Sequence, residues 1–220
     1  MLNLESTRSD FFTREVCSVF DAIALQIAGA VRLALVVNEL EVANQKLLQL
    51  SKSDGLTGIA NRRCFDEELK KAWNRHLALD SPLSLLLADV DCFKLLNDSH
   101  GHQHGDECLR LLAQHCAGQF EAADLVARFG GEEFAVILPG RDLAGARHIA
   151  EQLRRSIVEL GIEHPTSPIA HVVTASIGVA SVQPSTKLTC EALVGMADKA
   201  LYLAKGKGRN TIVARSVPQC

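Results

Sequence analysis

The chain has 220 residues, 47% of them hydrophobic and 22% charged, a balance that excludes a disordered chain, a collagen and a disulfide-stapled mini-protein. Its 23 basic and 26 acidic side chains leave a formal charge of −3, without the basic excess of a bulk nucleic-acid binder. The seven cysteines, Cys17, Cys64, Cys92, Cys108, Cys116, Cys190 and Cys220, are odd in number and form no CxxC pair. They read as free thiols of a reducing, cytoplasmic compartment, neither a zinc site nor a disulfide framework. The first residues hold no apolar h-region, so no signal peptide is expected.

From about Asp10 to Ser51 there is no proline and one glycine, Gly29. Val16, Phe20, Ile23, Ile27, Ala30, Ala34 and Val37 follow one another in steps of 4, 3, 4, 3, 4 and 3, a heptad seam. The seam slips by a three-residue step to Leu40, Asn44 and Leu47, which locally overwinds a coil. Asn44 stands where a polar residue fixes register. Residues 1–52 are therefore expected to form a long signalling helix that pairs with a second copy of the chain. An amphipathic helix packed on its own domain is the alternative. Ala22 to Val37, the most apolar stretch, is shorter than the about 20 residues of a bilayer span and contains Gln26 and Arg32, so no membrane insertion is expected.

Turn formers at Ser51 to Gly55 end this helix, and residues 53–220 are read as one domain. The periodicity predicts a helix over Asn61 to Leu79, with Phe65, Leu69, Ala72, Trp73 and Leu77 inward. A doubly covered strand follows at Leu83 to Ala88, then a helix at Gly105 to Phe120. Strands at Leu125 to Phe129 and Phe134 to Leu138 flank a Gly-Gly-Glu-Glu tip. A helix over Leu143 to Leu160, a strand over Val172 to Ala180, a helix over Glu191 to Lys205 and a strand over Thr211 to Ala214 complete the order. The β-α-β-β-α-β core predicts a ferredoxin-like α/β sandwich on a mainly antiparallel sheet.

Polar residues concentrate at four element ends. Asp89 and Asp91 close a buried strand, where carboxylates are costly unless paired or bound to metal. Such hard oxygen donors suit magnesium, which completes its shell with water and phosphate, and Lys94 can add positive charge. In Arg128-Phe129-Gly130-Gly131-Glu132-Glu133, the two glycines permit a tight turn and close approach of a ligand to the backbone. Strand alternation sends Glu132 and Glu133 opposite ways, so one joins the first carboxylates. His100, His102 and His104 lie among glycines and read as a loop, with no further zinc ligand evident. Lys205, Lys207 and Arg209 gather at a helix C-terminus, where they could reach phosphates or serve as a solvated cap.

Together these segments resemble the GGDEF family, the diguanylate cyclases, over about residues 53 to 214. The marks are Asp54 to Arg63, Asp89 to Asn97, Gly101-His102 with Gly105-Asp106, Gly130 to Phe134 in a GGEEF form, Ser176 to Val179, and Ala197 to Asn210. The family fold is a palm-like sandwich. The amino-terminal helix resembles the last helix of a GAF sensory domain.

The resemblance implies condensation of two GTP into cyclic di-GMP and two pyrophosphates by 3′-hydroxyl attack on the α-phosphate. It implies that Asp89 and Glu132 side chains and the Val90 carbonyl bind magnesium or manganese, with Glu132 the candidate for activating the hydroxyl. Lys94 would stabilise developing charge. Lys205 and Arg209 would reach the outer phosphates, and Gly130 and Gly131 would lie against substrate. Asn97 and Asp106 would read guanine, with His102 a further contact; a carboxylate matches guanine's paired N1–H and amino donors. For Asp54, Asp91 and Asp198 turn fixing and ion pairing are expected. Where many members carry an inhibitory RxxD, this chain reads Glu121-Ala122-Ala123-Asp124, without the arginine that clamps product. A cyclase active as a dimer is the main reading, and a non-catalytic module that binds GTP or cyclic di-GMP is the alternative.

Overall fold

The computed structural model describes residues 13–50 and 52–216, with side chains of 43–50 excepted. It divides into two units, Met1–Ser51 and Lys52–Cys220. In the first unit, α1 (Arg14–Leu50) is one continuous helix, about 55 Å long at 1.5 Å per residue. The seam residues Ile23, Ile27 and Val37 are exposed, and so are Leu25, Leu33, Leu35 and Val36 on other faces. Arg14–Val42 is long and apolar enough, by length and composition alone, to cross a membrane. Apolar residues therefore extend well beyond the span read between Ala22 and Val37. The side chains of Asn44 and Leu47 fall outside the described residues, as does Cys220.

In the second unit the order is α2 (Arg62–Leu79), β1 (Leu83–Val90), α3 (Phe93–His100), α4 (His102–Gln119), β2 (Leu125–Arg128), β3 (Glu133–Pro139), α5 (Leu143–Glu159), β4 (Ala175–Val182), α6 (Cys190–Gly206) and β5 (Ile212–Ser216). The strands form one sheet in the order β2-β3-β1-β4-β5. Every pairing is antiparallel except β4 with β5, which is parallel. This is the α/β sandwich that the sequence pattern predicts.

All eight residues of β1 are buried because helices cover both sheet faces. Leu86, Ala88 and Val90 pack with Leu109, Leu112, Leu153 and Ile157 beneath α4 and α5. Leu85 and Leu87 pack with Phe65, Leu69, Trp73, Ala197 and Leu201 beneath α2 and α6. The period of two places Asp89 on the α6 side.

Two expectations change. His76, not Leu77, lies inside α2: the His76 ring meets Ser81 Oγ at 2.7 Å, while Leu77 is 37% exposed. The segment after β1 holds a helix, α3, and His102 and His104 stand in the first turn of α4, not in a loop. Only Gly101 separates the two helices, and its φ of +84° is left-handed, so it breaks the helix where the flanking residues could continue it.

Candidate active site

The site gathers at the carboxyl end of β1. Asp89 is 6% exposed and stands opposite Glu133 on β3 and Ser176 on β4. The Val90 amide donates to the Glu132 carbonyl at 3.2 Å, which brings the hairpin tip against the end of β1. Burial pushes the Asp89 carboxyl above the usual range, Lys205 opposes the rise, and the Asp91 charge adds to it. Burial also raises Glu132, and the Asp89 charge raises it further. These are two carboxylates sharing one electrostatic environment, an arrangement that favours a cation or a shared proton.

Lys205 Nζ lies 2.7 Å from Asp89 Oδ2. The reach follows from α6: Ala197, Ala200 and Ala204 are fully buried and Gly178 on β4 has no side chain. A Cβ there would strike the Ala197 carbonyl and the Leu201 amide, and would stand 2.8 Å from Leu201 Cα. Small residues on both partners therefore let α6 press on the sheet and carry Lys205 to the acids. The resemblance implies that Lys205 reaches outer phosphates; in this structure its partner is Asp89. Arg209 and Asn210 follow, both left-handed at φ +66° and +41°.

Lys94 is exposed on the first turn of α3. Asn97 lies on the last turn, and its Oδ1 is buried without a hydrogen-bond partner. A buried, unpaired acceptor is costly, and a ligand donor would satisfy it. Gly105 leaves room for it: a Cβ at 105 would collide with Asn97 Oδ1 and approach Phe93 Cζ at 3.1 Å. Asp106 is half-buried beside Gly105, whereas His102 is exposed. The rings of His100 and His104 stack 5.0 Å apart.

Gly130 and Gly131 do not adopt left-handed φ, so the turn between β2 and β3 does not need glycine for its backbone conformation. Space is the use of Gly130, where a Cβ would stand 2.5 Å from Glu133 Oε2. Gly131 has open surroundings. Its carbonyl accepts from Arg128 Nη2 at 2.7 Å and Nε at 3.2 Å. Arg128 Nη1 donates to Asp54 Oδ1 at 3.0 Å. Burial alone would raise Asp54, but hydrogen bonds from Thr57 and from Arg128 hold it below its ordinary value. The hairpin motif alone gives Arg128 no role; its bond to Asp54 crosses 74 positions of sequence, which no local spacing signals.

Among the described residues no group of three or more His, Cys, Asp or Glu side chains is placed to hold a metal. Asp89 and Glu132 with the Val90 carbonyl nevertheless fit magnesium, which takes one or two carboxylates and fills its shell with water and phosphate. Glu121 pairs with Arg141 at 2.7 Å beside Asp124, whose carboxyl burial pushes up.

Residues 51–211 match the family model for the diguanylate cyclase GGDEF domain. The response regulator PleD of Caulobacter vibrioides is 40% identical over 174 residues, which span 77% of this chain and 37% of PleD. Diguanylate cyclase VdcA of Vibrio cholerae is 36% identical over 179 residues, spanning 80% of this chain and 51% of VdcA. The chain thus covers about half or less of the curated relatives' length. The coiled coil and GGDEF domain of DgcB from Caulobacter crescentus, solved with cyclic di-GMP, superposes with a TM-score of 0.69 at 30% identity, over 84% of this chain and 98% of that one.

Proposed function

The chain belongs to the GGDEF-domain family of diguanylate cyclases, and from that premise we propose that it condenses two GTP into cyclic di-GMP with release of two pyrophosphates, as a cytoplasmic dimer joined through α1. The observation that carries this reading is the acid pair of buried Asp89 and half-buried Glu132 beside Lys205 near the end of α6. A structural ion pair needs one acid for Lys205; the second, held nearby with a raised pKa, implies a further cation.

Magnesium or manganese, held by Asp89, Glu132 and the Val90 carbonyl, would supply neutralising charge at the phosphate oxygens of an in-line displacement. The chain's own residues do the rest. Lys205 and Arg209 hold the outer phosphates, and Lys94 offers positive charge where it develops. Glu132 is the candidate base for the 3′-hydroxyl proton. Asn97 Oδ1 and Asp106 accept from the guanine amino and N1–H groups, a pair of donors that adenine lacks.

The test is incubation of the parent, Asp89→Asn and Glu132→Gln with GTP and magnesium, followed by nucleotide chromatography. The parent is expected to yield cyclic di-GMP and both variants none, with circular dichroism unchanged. A folded parent that binds GTP without turnover would make it a binding module instead. Product formation by either variant would remove the proposed metal site.

A further inference from the structure

Asp91 is 1% exposed and, among the described residues, forms no ion pair; three donors surround it instead. Ser176 Oγ donates to Oδ1 at 2.6 Å. Thr174 Oγ1 and the Asn210 amide donate to Oδ2 at 2.8 Å and 2.9 Å. Its own amide donates to the Thr174 carbonyl at 2.9 Å. One carboxylate thus joins three segments distant in sequence: the end of β1, the start of β4, and the turn between α6 and β5.

That turn is the one that carries Arg209. Two successive non-glycine residues, Arg209 and Asn210, are left-handed there, a conformation that persists only where surrounding contacts determine it. Asp91 fixes its backbone, and Arg154 Nη1 fixes its side by donating to Asn210 Oδ1 at 2.7 Å. On the opposite side His164, also 1% exposed, donates from Nε2 to the Cys92 carbonyl at 3.2 Å. It steadies Cys92, the left-handed residue that launches α3.

We propose that Asp91 is a positioning residue for phosphate recognition: its carboxylate sets the Arg209–Asn210 turn at a fixed distance from the acids at the end of β1, and so determines where the outer phosphates of the nucleotide can sit. The inference rests on the site reading above. It goes beyond local turn fixing because it assigns Asp91 a role toward one part of the ligand only.

The test compares GTP and GMP binding by calorimetry, in magnesium, for the parent, Asp91→Asn and Asp91→Ala. GMP lacks the outer phosphates. Asp91→Ala is expected to bind GTP about tenfold more weakly, a change that corresponds to about 1.4 kcal/mol, with GMP affinity changed less than about twofold. Asn keeps the shape and one acceptor oxygen, so Asp91→Asn is expected to fall between; it decides the matter if the alanine variant does not fold. Equal losses for both nucleotides, or no loss, would overturn the inference and leave Asp91 a fold residue, whatever happens to thermal stability. A parent that binds GTP no better than GMP would instead refute the phosphate segment itself, and the role of Asp91 with it.

Discussion

Single atoms decide the two ends of the site. At the base end, Gly105 is the only residue type that leaves the Asn97 amide in place. Gly105→Ala is expected to keep the fold, since helix interiors favour alanine over glycine, while weakening GTP by about tenfold, near 1.4 kcal/mol. Calorimetry beside a melting curve checks both halves. At the acid end, Glu132 has a folded pKa raised by burial and by the Asp89 charge. A raised acid contributes stability that is fully present below its unfolded pKa and is lost as pH rises through the folded value. At neutral pH without divalent cation, ionised Glu132 therefore costs stability. Glu132→Gln is expected to melt higher than the parent at pH 7 in chelator, and the difference should vanish below about pH 4.5, the ordinary glutamate range. An equal or lower melting temperature at pH 7 would contradict the crowded-acid account. Sequence spacing singles out Asp89, the Glu132–Glu133 pair and the cations at Lys205 and Arg209 because each sits in a dense local motif, whereas Asn97, and the choice of Glu132, come from the family resemblance. The roles of Arg128 and Gly105 were not legible, since both depend on contacts that exist only after folding.

Among the elements, α6 and β4 are the pair on which the geometry turns. Their contact at Gly178 has no space for a methyl group, and the opposing atoms are backbone, so neither side can yield by changing a rotamer. Gly178→Ala is expected to lower stability by about 1–3 kcal/mol, the usual cost of overpacking, and to draw Lys205 away from Asp89. Denaturant unfolding measures the first effect, and loss of GTP affinity in the folded fraction measures the second. The long helices were legible because each has one dominant period over many residues, and β1 because it is a short unbroken apolar run between turn formers. The short helix α3 was not: Phe93 and Leu96 are its buried residues, too few to establish a period. The histidine run misled in the same way, because the glycines within it suggest a loop while Gly105 in fact makes room inside α4.

For the whole molecule, one chain carries one copy of the site, and the proposed product is two-fold. A dimer through α1 would bring two copies together, and its exposed apolar residues provide the surface. Removing residues 1 to 50 is expected to lower activity per molecule and make it rise steeply with protein concentration. Initial rates over a concentration series, with light scattering alongside, check this; a monomeric truncated chain of constant specific activity would overturn the dimer reading. Glu121, paired with Arg141, adds that cyclic di-GMP should inhibit weakly through the Asp124 site. Strong non-competitive inhibition abolished by Asp124→Ala would contradict it.

The relay Asp54–Arg128–Gly131 has a mechanical consequence. The second unit begins at Lys52, two residues before Asp54, and Gly131 lies at the tip of the β2–β3 hairpin; the Arg128 guanidinium bridges Asp54 and Gly131. Arg62 stiffens the same corner, its guanidinium 3.4 Å above the Phe129 ring. Asp54 and the hairpin tip are therefore tied to each other by side-chain hydrogen bonds that do not depend on the pairing of β2 with β3.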